Sequence, residues 1–526
     1  MTGRLSTHAF VRWWDLHAWA GVIGGLVLYV MFLTGGVTLF RDELALWEEP
    51  LSQRSSAPCD LECALDRALI ANGSTPDDFW LYPPRAGRGE ARLLHREASS
   101  GQWRTDWIDS ERGELTRERE RLSGFLYSIH FLWHDFTGQW LYTVGGLLAA
   151  VMLLTVVTGF LIHMKNLLRQ FHQFRIAKSE RVLWSDMHKV LGVMGLPFQL
   201  MYAYTGAFIV LGPILLNAFV GPVFGGDRAR AAQLALGIEP SPVSSAGPPA
   251  HVLPLDALER RAHAARPDLE PEAFHLVHHG HAGATFEAWG KERTSSSGRA
   301  SVRLREMDGE EVAPDRRRAE GSSRSLRRWI HGLHFVHFGG PMARALFLAL
   351  ALATCLTILS GNLVWLSRRE LVHPTVGNRL LARLTAGVGA GAWVALGAIF
   401  LVSRLFPLGW ARRGSAEELT FVLVLGVCVL CSLVARDTKA FACTQLAAAG
   451  ALFLPVPFLA ARWSQAGLFG SGPRIVVVAV LDAAILATGA ALVAGARALR
   501  RTAQRDALSP PTSARPLFAN PGGHDA

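Results

Sequence analysis

Charge is scarce in this chain of 526 residues: Asp, Glu, Lys and Arg make up 18%, against 50% apolar residues. Averages that apolar exclude an ordinary soluble enzyme. The polar residues gather in stretches such as Arg85–Arg121 and Lys291–Arg328. Cysteine is scarcer still, at six. Cys59 and Cys63 permit a disulfide without demanding one, and the C-x-x-C of Cys428 and Cys431, followed by Ser432 in an apolar run, reads as packing. No Gly-rich loop follows a strand to cradle a phosphate, so the chain offers no site of its own for a nicotinamide or flavin. No nucleophile–base constellation is visible in its polar stretches. A small-residue cleavage site is also missing behind the first apolar stretch, which is too long for a leader and reads as an anchor.

What is abundant is long apolar runs. A bilayer core of about 30 Å needs roughly 20 apolar residues in a helix. Eight segments meet or approach that length: Leu16–Phe40, Tyr142–His163, Val190–Leu216, Ala343–Trp365, Gly387–Phe406, Leu419–Val434, Thr444–Ala460 and Ile475–Ala496. Lys and Arg favour the cytoplasmic side of short loops. Arg4 and Arg12, the group Lys165, Arg169, Arg175, Lys178 and Arg181, then Arg368, Arg369, Arg379 and Arg383, Arg436 with Lys439, and Arg497 to Arg501 all fall on one side of eight spans. Both termini are therefore expected in the cytoplasm. The net charge of +10 reads as topology and lipid headgroup contact, not as nucleic-acid binding.

The first four spans repeat one unit of helix, outside insertion and returning helix. Asp15-Leu16-His17 precedes Gly21, Val22 and Gly24, and Asp186-Met187-His188 precedes Gly192, Val193 and Gly195. Each helix reaches a Thr-Gly step seventeen residues after its histidine, at Thr34-Gly35 and Thr205-Gly206. In the returning helices, Ile129-His130-Phe131 matches Leu333-His334-Phe335, and Thr158-Gly159 matches Ser360-Gly361. Parallel copies of this kind relate by an axis along the membrane normal. The expected divisions are a first span through residue 40, an insertion at 41–125, two spans with their loop at 126–216, a second insertion at 217–328, a fourth span at 329–370, a four-helix region at 371–500 and a disordered tail at 501–526. Each insertion reads as a small α+β domain, with helices at Cys63–Ala71 and Leu255–Ala265. Strands are expected at Arg92–Arg96, Trp103–Asp109, Ala273–His278, Thr285–Trp289 and Ser301–Glu306.

Histidines cluster at the span ends. His17, His163 and His188 lie at the cytoplasmic edge; His130, His134, His331, His334 and His337 lie on the outer side. A lone histidine there serves as a headgroup contact or a helix cap. Two pairs repeated in register read differently: His17 with His188, and His130 with His334, suit the two axial positions of a haem iron between apolar helices. The absence of C-x-x-C-H implies noncovalent haem b, two per chain. His163, whose counterpart is Trp365, and the non-superposable His134 and His337 are alternative ligands or neighbours of the site. His275, His278, His279 and His281 in the second insertion alternate between strand faces, which favours ordinary structural roles over a metal site.

Arg12-Trp13-Trp14-Asp15-Leu16-His17, Phe32-Leu33-Thr34-Gly35, Leu46-Trp47-Glu48-Glu49-Pro50, Thr158 to Lys165, Trp184 to His188 with Leu196-Pro197-Phe198, and Leu333-His334-Phe335 with Phe338-Gly339-Gly340 together resemble the PepSY-associated transmembrane family. The likeness spans roughly residues 8 to 370. It implies a bacterial inner-membrane, iron-regulated protein with two periplasmic PepSY-like insertions. The family's motif histidines map onto His17, His130, His163, His188 and His334. Val336 departs from related sequences, which often carry Gly there, and the four C-terminal helices are an addition. Several members are haem-containing reductases that release iron from ferric siderophores, so the expected partners are a ferric siderophore, lipid, an electron donor (quinol or cytoplasmic reductase) and other siderophore-processing proteins. The outer-side Arg324, Arg327 and Arg328 suit an anionic chelate or headgroups. Two alternatives stay open: a haem-free sensor or scaffold, and a siderophore permease, which is weakened because the C-terminal helices carry almost no buried charge besides Asp482.

Overall fold

The computed structural model describes residues 7–48, 77–83, 90–96, 103–109, 115–117, 122–132, 138–164, 180–236, 246–292, 299–312, 322–369, 375–406, 412–460 and 473–508, with single residues 62, 65, 66, 69, 175 and 410. Eight of the described helices are long and apolar enough to cross a membrane. The chain is a polytopic helical membrane protein carrying an α+β insertion. The first copy comprises α1 (Thr7–Thr38), α2 (Arg41–Glu48), strands β1 (Asp78–Tyr82), β2 (Glu90–Arg96), β3 (Trp103–Asp109) and β4 (Leu115–Arg117), then α3 (Leu122–His130) and α4 (Gly138–His163). The second comprises α5 (Glu180–Met194), α6 (Leu196–Phe224), α7 (Arg228–Leu236), α8 (Leu255–Ala265), β5 (Leu269–Val277), β6 (Thr285–Glu292), β7 (Arg299–Arg305), α9 (Ser322–His334) and α10 (Gly340–Arg369). The added region is α11 (Val376–Leu405), α12 (Arg413–Val434), α13 (Thr438–Phe453), α14 (Val456–Ala460) and α15 (Pro473–Leu508).

Each expected span falls on one of these helices, except that the third is split between α5 and α6 and the seventh between α13 and α14. Pro197 lies in the first turn of α6. Lacking an N–H and crowding the carbonyl four residues back, proline ends α5 one turn before its own position. Gly195 N still donates to Leu191 O and Gln199 N to Gly195 O, both at 2.8 Å, so the path bends without losing its ladder. His188 consequently sits on α5, ahead of the spanning helix instead of at its edge. Within the bundle, α1 packs on α4 and α10, α4 on α6, and α10 on α5.

The two insertions are not separate domains in space. Their strands form one antiparallel sheet in the order β4-β3-β2-β1-β5-β6-β7, and the β1–β5 pairing sets Phe79 opposite Leu276 and Trp80 opposite His275. Alone, each insertion would present an unpaired strand edge; each edge is satisfied by the other copy. One sheet face is apolar at every second residue, with Phe79 and Leu81, Phe274 and Leu276, Phe286 and Ala288, Val302 and Leu304 in one core. Leu255, Leu258 and Ala262 of α8 cover that face. Strands at Trp103–Asp109 and the helix at Leu255–Ala265 match the sequence reading; β1, of sequence DFWLY, was not expected. Cys59, Cys63 and most of the helix expected at Cys63–Ala71 lie outside the described residues.

The added region centres on α11, whose Gly and Ala residues between Gly387 and Ala398 are mostly buried; small residues let helices approach closely in a membrane. It is tied to the repeats by Tyr29 Oη donating to Gly389 O (2.6 Å), Asn362 Nδ2 to Thr385 Oγ1 (3.2 Å) and Trp47 Nε1 to Asp482 Oδ1 (2.8 Å). Its buried charge is not confined to Asp482: Arg404 and Glu417 are 8% and 1% exposed. Arg404 stands in the last turn of the span Gly387–Phe406 and Glu417 just ahead of Leu419–Val434, where a charge reads as interfacial, which is why the reading from sequence missed them. Cys428 and Cys431 are free thiols.

Candidate cofactor site

Four helices each bring one histidine into the bundle: α1 His17, α5 His188, α3 His130 and α9 His334. The ring centres of His17 and His188 are 6.0 Å apart, and those of His130 and His334 are 6.3 Å apart. Each pair joins one residue from each copy, as the duplicated register requires.

A common local device holds the rings. His17 Nδ1 donates to Thr155 O (2.8 Å), His188 Nδ1 to Thr357 O (2.8 Å) and His130 Nδ1 to Met31 O (2.7 Å). Each acceptor lies three residues before the Thr or Ser of the Thr-Gly or Ser-Gly step on the facing helix. His334 departs from the pattern: its Nδ1 meets Thr205 Oγ1 at 2.9 Å, and that hydroxyl donates to Met201 O at 2.7 Å, so it accepts from the ring. The glycines of the steps make the room. A Cβ at Gly159 would stand 2.8 Å from His17 Cε1, one at Gly361 would stand 3.0 Å from His188 Cε1, and one at Gly35 would clash with His130. The step recognised in the sequence is thus a socket for an imidazole.

A carbonyl accepts only, so the tautomer is decided: the proton is on Nδ1 and the Nε2 lone pair is left for a ligand. Burial, ahead of its neighbours, lowers the pKa of His130 and pushes that of His334 down to about 3, which keeps both rings neutral at physiological pH. Two imidazoles on opposite sides of one metal ion, each with a metal–nitrogen bond of about 2 Å, have ring centres roughly 6 Å apart. The donor set and both separations therefore fit a bis-histidine metal centre, and the apolar, glycine-lined surroundings fit a flat apolar ligand around it.

The two pairs open on different cavities. The His130–His334 pair faces a cavity of about 990 Å³ beneath the sheet, lined also by Tyr127, Tyr202, Trp289, Lys291, Arg327 and Arg328. The His17–His188 pair faces a smaller one at the opposite end, rimmed by Trp14, Lys189, Arg368 and Arg369. His163 lines this second cavity, as does its counterpart Trp365, on which the Arg369 guanidinium stacks at 3.7 Å. Asp186, two residues before His188, is gripped through both oxygens by Arg175 (2.8 Å each), and that hydrogen bonding holds its carboxyl below the ordinary carboxylate range. His331 and His337 line the larger cavity, His337 stacked on Phe335 at 5.7 Å; His134 lies outside the described residues. The side chain of Arg324 also lies outside them.

Val336 is buried with φ +52°, and Leu132, at the same offset from His130, has φ +58°. Both turn the chain sharply just after a paired histidine, in the backbone region that glycine favours. Trp289, Lys291 and Ser301 of β6 and β7 were not anticipated as cavity residues, because nothing local in a strand says what its free face will cover. Two histidines of the second insertion are tied to carboxylates. His275 Nε2 bonds Asp78 Oδ1 (2.7 Å) and stacks on Trp80 (4.3 Å), while His279 Nδ1 bonds Glu306 Oε2 (2.7 Å). Among the described residues no group of three or more such side chains converges as a metal site.

Residues 14–368 match the family described as the PepSY-associated TM region. An uncharacterised protein of Pseudomonas aeruginosa is 29% identical over 297 residues, covering 51% of this chain and 73% of that protein.

Proposed function

This chain belongs to the PepSY-associated transmembrane family, and we propose that it is a ferric-siderophore reductase that carries electrons across the inner membrane through two haem b groups. Haem supplies reversible one-electron chemistry at a potential set by its axial ligands and its burial. The supporting observation is the pair of matched histidine couples, 6.0 and 6.3 Å between ring centres, each ring oriented through Nδ1. His17 and His188 hold one group, His130 and His334 the other. Lys189, Arg368 and Arg369 at the rim of the smaller cavity suit the carboxylates of the first group.

In this reading the Lys- and Arg-rich loops and both termini face the cytoplasm, and the sheet lies in the periplasm. Electrons enter from a quinol or a cytoplasmic reductase. Ferric chelate docks in the cavity under the sheet, where Lys291, Arg327 and Arg328 attract an anion and Trp289 offers an aromatic face. Fe(III) is a hard ion held by oxygen donors, and one electron converts it to the less tightly held Fe(II), so that other siderophore-processing proteins can take over the emptied ligand.

Absorption spectra and redox titration of the purified protein test this. Two haems per chain with a Soret band are expected. His188→Ala is expected to remove one haem, keep the His130–His334 one, and abolish chelate reduction. A colourless protein would refute the proposal and leave a haem-free sensor or a permease; survival of both haems in the variant would refute the ligand assignment alone.

A further inference from the structure

Among the places where the added region meets the rest of the bundle, the start of α3 lies closest in sequence to His130. Glu48, the last residue of α2, accepts from Ser123 N at 2.6 Å. Glu417 of α12 reaches the Leu122 backbone N–H. Two carboxylates from different parts of the chain therefore satisfy the first amides of one nine-residue helix, the end where a negative charge is favoured. Glu417 is itself held by Arg413 Nε (2.8 Å), whose Nη2 is anchored on Ser403 O and Oγ (2.7 and 2.9 Å). One turn along, Phe421 packs edge-on against Phe125 at 5.5 Å. Glu417 and Phe421 are four residues apart, so one face of α12 supplies both contacts. Leu122, Phe125 and Leu126 share a core with Leu396, Ile399 and Phe400 of α11. His130 is the last residue of this same helix.

The counterpart α9, which carries His334, is held differently: it packs on α6 and α7 of its own copy and leaves Leu326 and Trp329 48% exposed. Burying carboxylates and guanidinium groups is costly unless they are fully paired. Here that cost is met at α3, which packs on α1 and α2 of its own copy and is gripped from the added region as well.

We propose that the C-terminal four-helix region is a positioning device for His130, with Glu417 and Phe421 of α12 fixing the start of α3 and the rigid helix transmitting that placement to the imidazole. The redox meaning of the device rests on the haem reading above; the grip itself does not.

Full-length protein in lipid nanodiscs decides it, by hydrogen exchange of the segment 122–130 together with redox titration and low-temperature electron paramagnetic resonance. Removing a cap acceptor in Glu417→Ala should speed exchange in that segment by about 5- to 10-fold. It should also shift the potential and signal of the His130–His334 centre alone. Glu417→Gln keeps an acceptor oxygen and should restore both. Gln445→Ala, which disturbs the region away from α3, should change neither. Phe421→Leu should give a smaller change of the same kind. Unchanged exchange in Glu417→Ala overturns the proposal, as does faster exchange with an unaltered sheet-side centre. A colourless protein overturns the haem reading, and exchange in α3 then still reports on the grip.

Discussion

Gly159→Ala puts the socket description to its sharpest test. The added methyl would lie 2.8 Å from Cε1 and 3.1 Å from Nδ1 of His17, while carbon contacts settle at about 3.5–4.0 Å. The ring must withdraw by roughly 0.7 Å along that line. Metal–ligand distances tolerate about 0.2 Å, so the withdrawn imidazole no longer completes a centre with His188. The fold should survive. Alanine is favoured over glycine in a helix by about 1 kcal/mol, and overpacking costs about 1–3 kcal/mol, which leaves a net loss of at most about 2 kcal/mol. The expected result is a drop in haem content from two to one per chain, the His130–His334 potential unchanged, and chelate reduction lost. Gly426→Ala is the control, because nothing lies within 4 Å of a methyl added there and it lines neither cavity, and it should keep both haems. Full retention of both in Gly159→Ala, or equal loss in the control, would refute the packing argument.

Val336→Gly should lower stability by about 1 kcal/mol despite relieving a left-handed backbone, since strain of about 1–2 kcal/mol is outweighed by lost burial of about 1.5–3 kcal/mol and by the entropy of glycine; a thermal melt with an unchanged or raised midpoint would show that strain dominates. Arg344 grips Glu43 through both oxygens (2.9 and 2.6 Å) and also donates to Leu39 O, so Arg344→Lys, which cannot make the fork, should cost on the order of 1 kcal/mol in chemical denaturation. For His279, burial works to lower the pKa, but the hydrogen bond and charge of Glu306, with Glu62 and Asp66, prevail and raise it. A raised folded-state value stabilises fully below the unfolded value near 6.5 and is lost as pH rises through the folded one. Melting temperature should therefore fall as pH rises from about 6.5 through the folded-state value, and His279→Gln should flatten the slope.

Much of the bundle was legible because its constraints are local and repeated. His17 and His188 announce themselves by an identical distance to a Thr-Gly step, and the step proves to be the socket for the histidine of the returning helix. The cavity roof was not legible. Trp289 and Lys291 lie on a strand whose free face is assigned only when β1 and β5 meet, and DFWLY, apolar or aromatic at four of its five positions, lacks the alternation that marks a half-buried strand. Glu417 and Arg404 escaped notice for a related reason: Glu417 reaches the Leu122 amide and Arg404 the Trp47 ring, both far off in sequence, and a charge near the end of an apolar run reads as an interfacial one.

The seam between β1 and β5 also sets a timetable for biogenesis. β1 ends at Tyr82 and β5 begins at Leu269. Two spans and the loop between them must be made and inserted before the partner strand exists. At about 5–20 residues per second, the leading half of the sheet waits roughly 10–40 s with its central edge open. An exposed strand edge in that interval invites pairing with other chains, so the nascent protein needs either a chaperone on that side of the membrane or a slow, sheltered release.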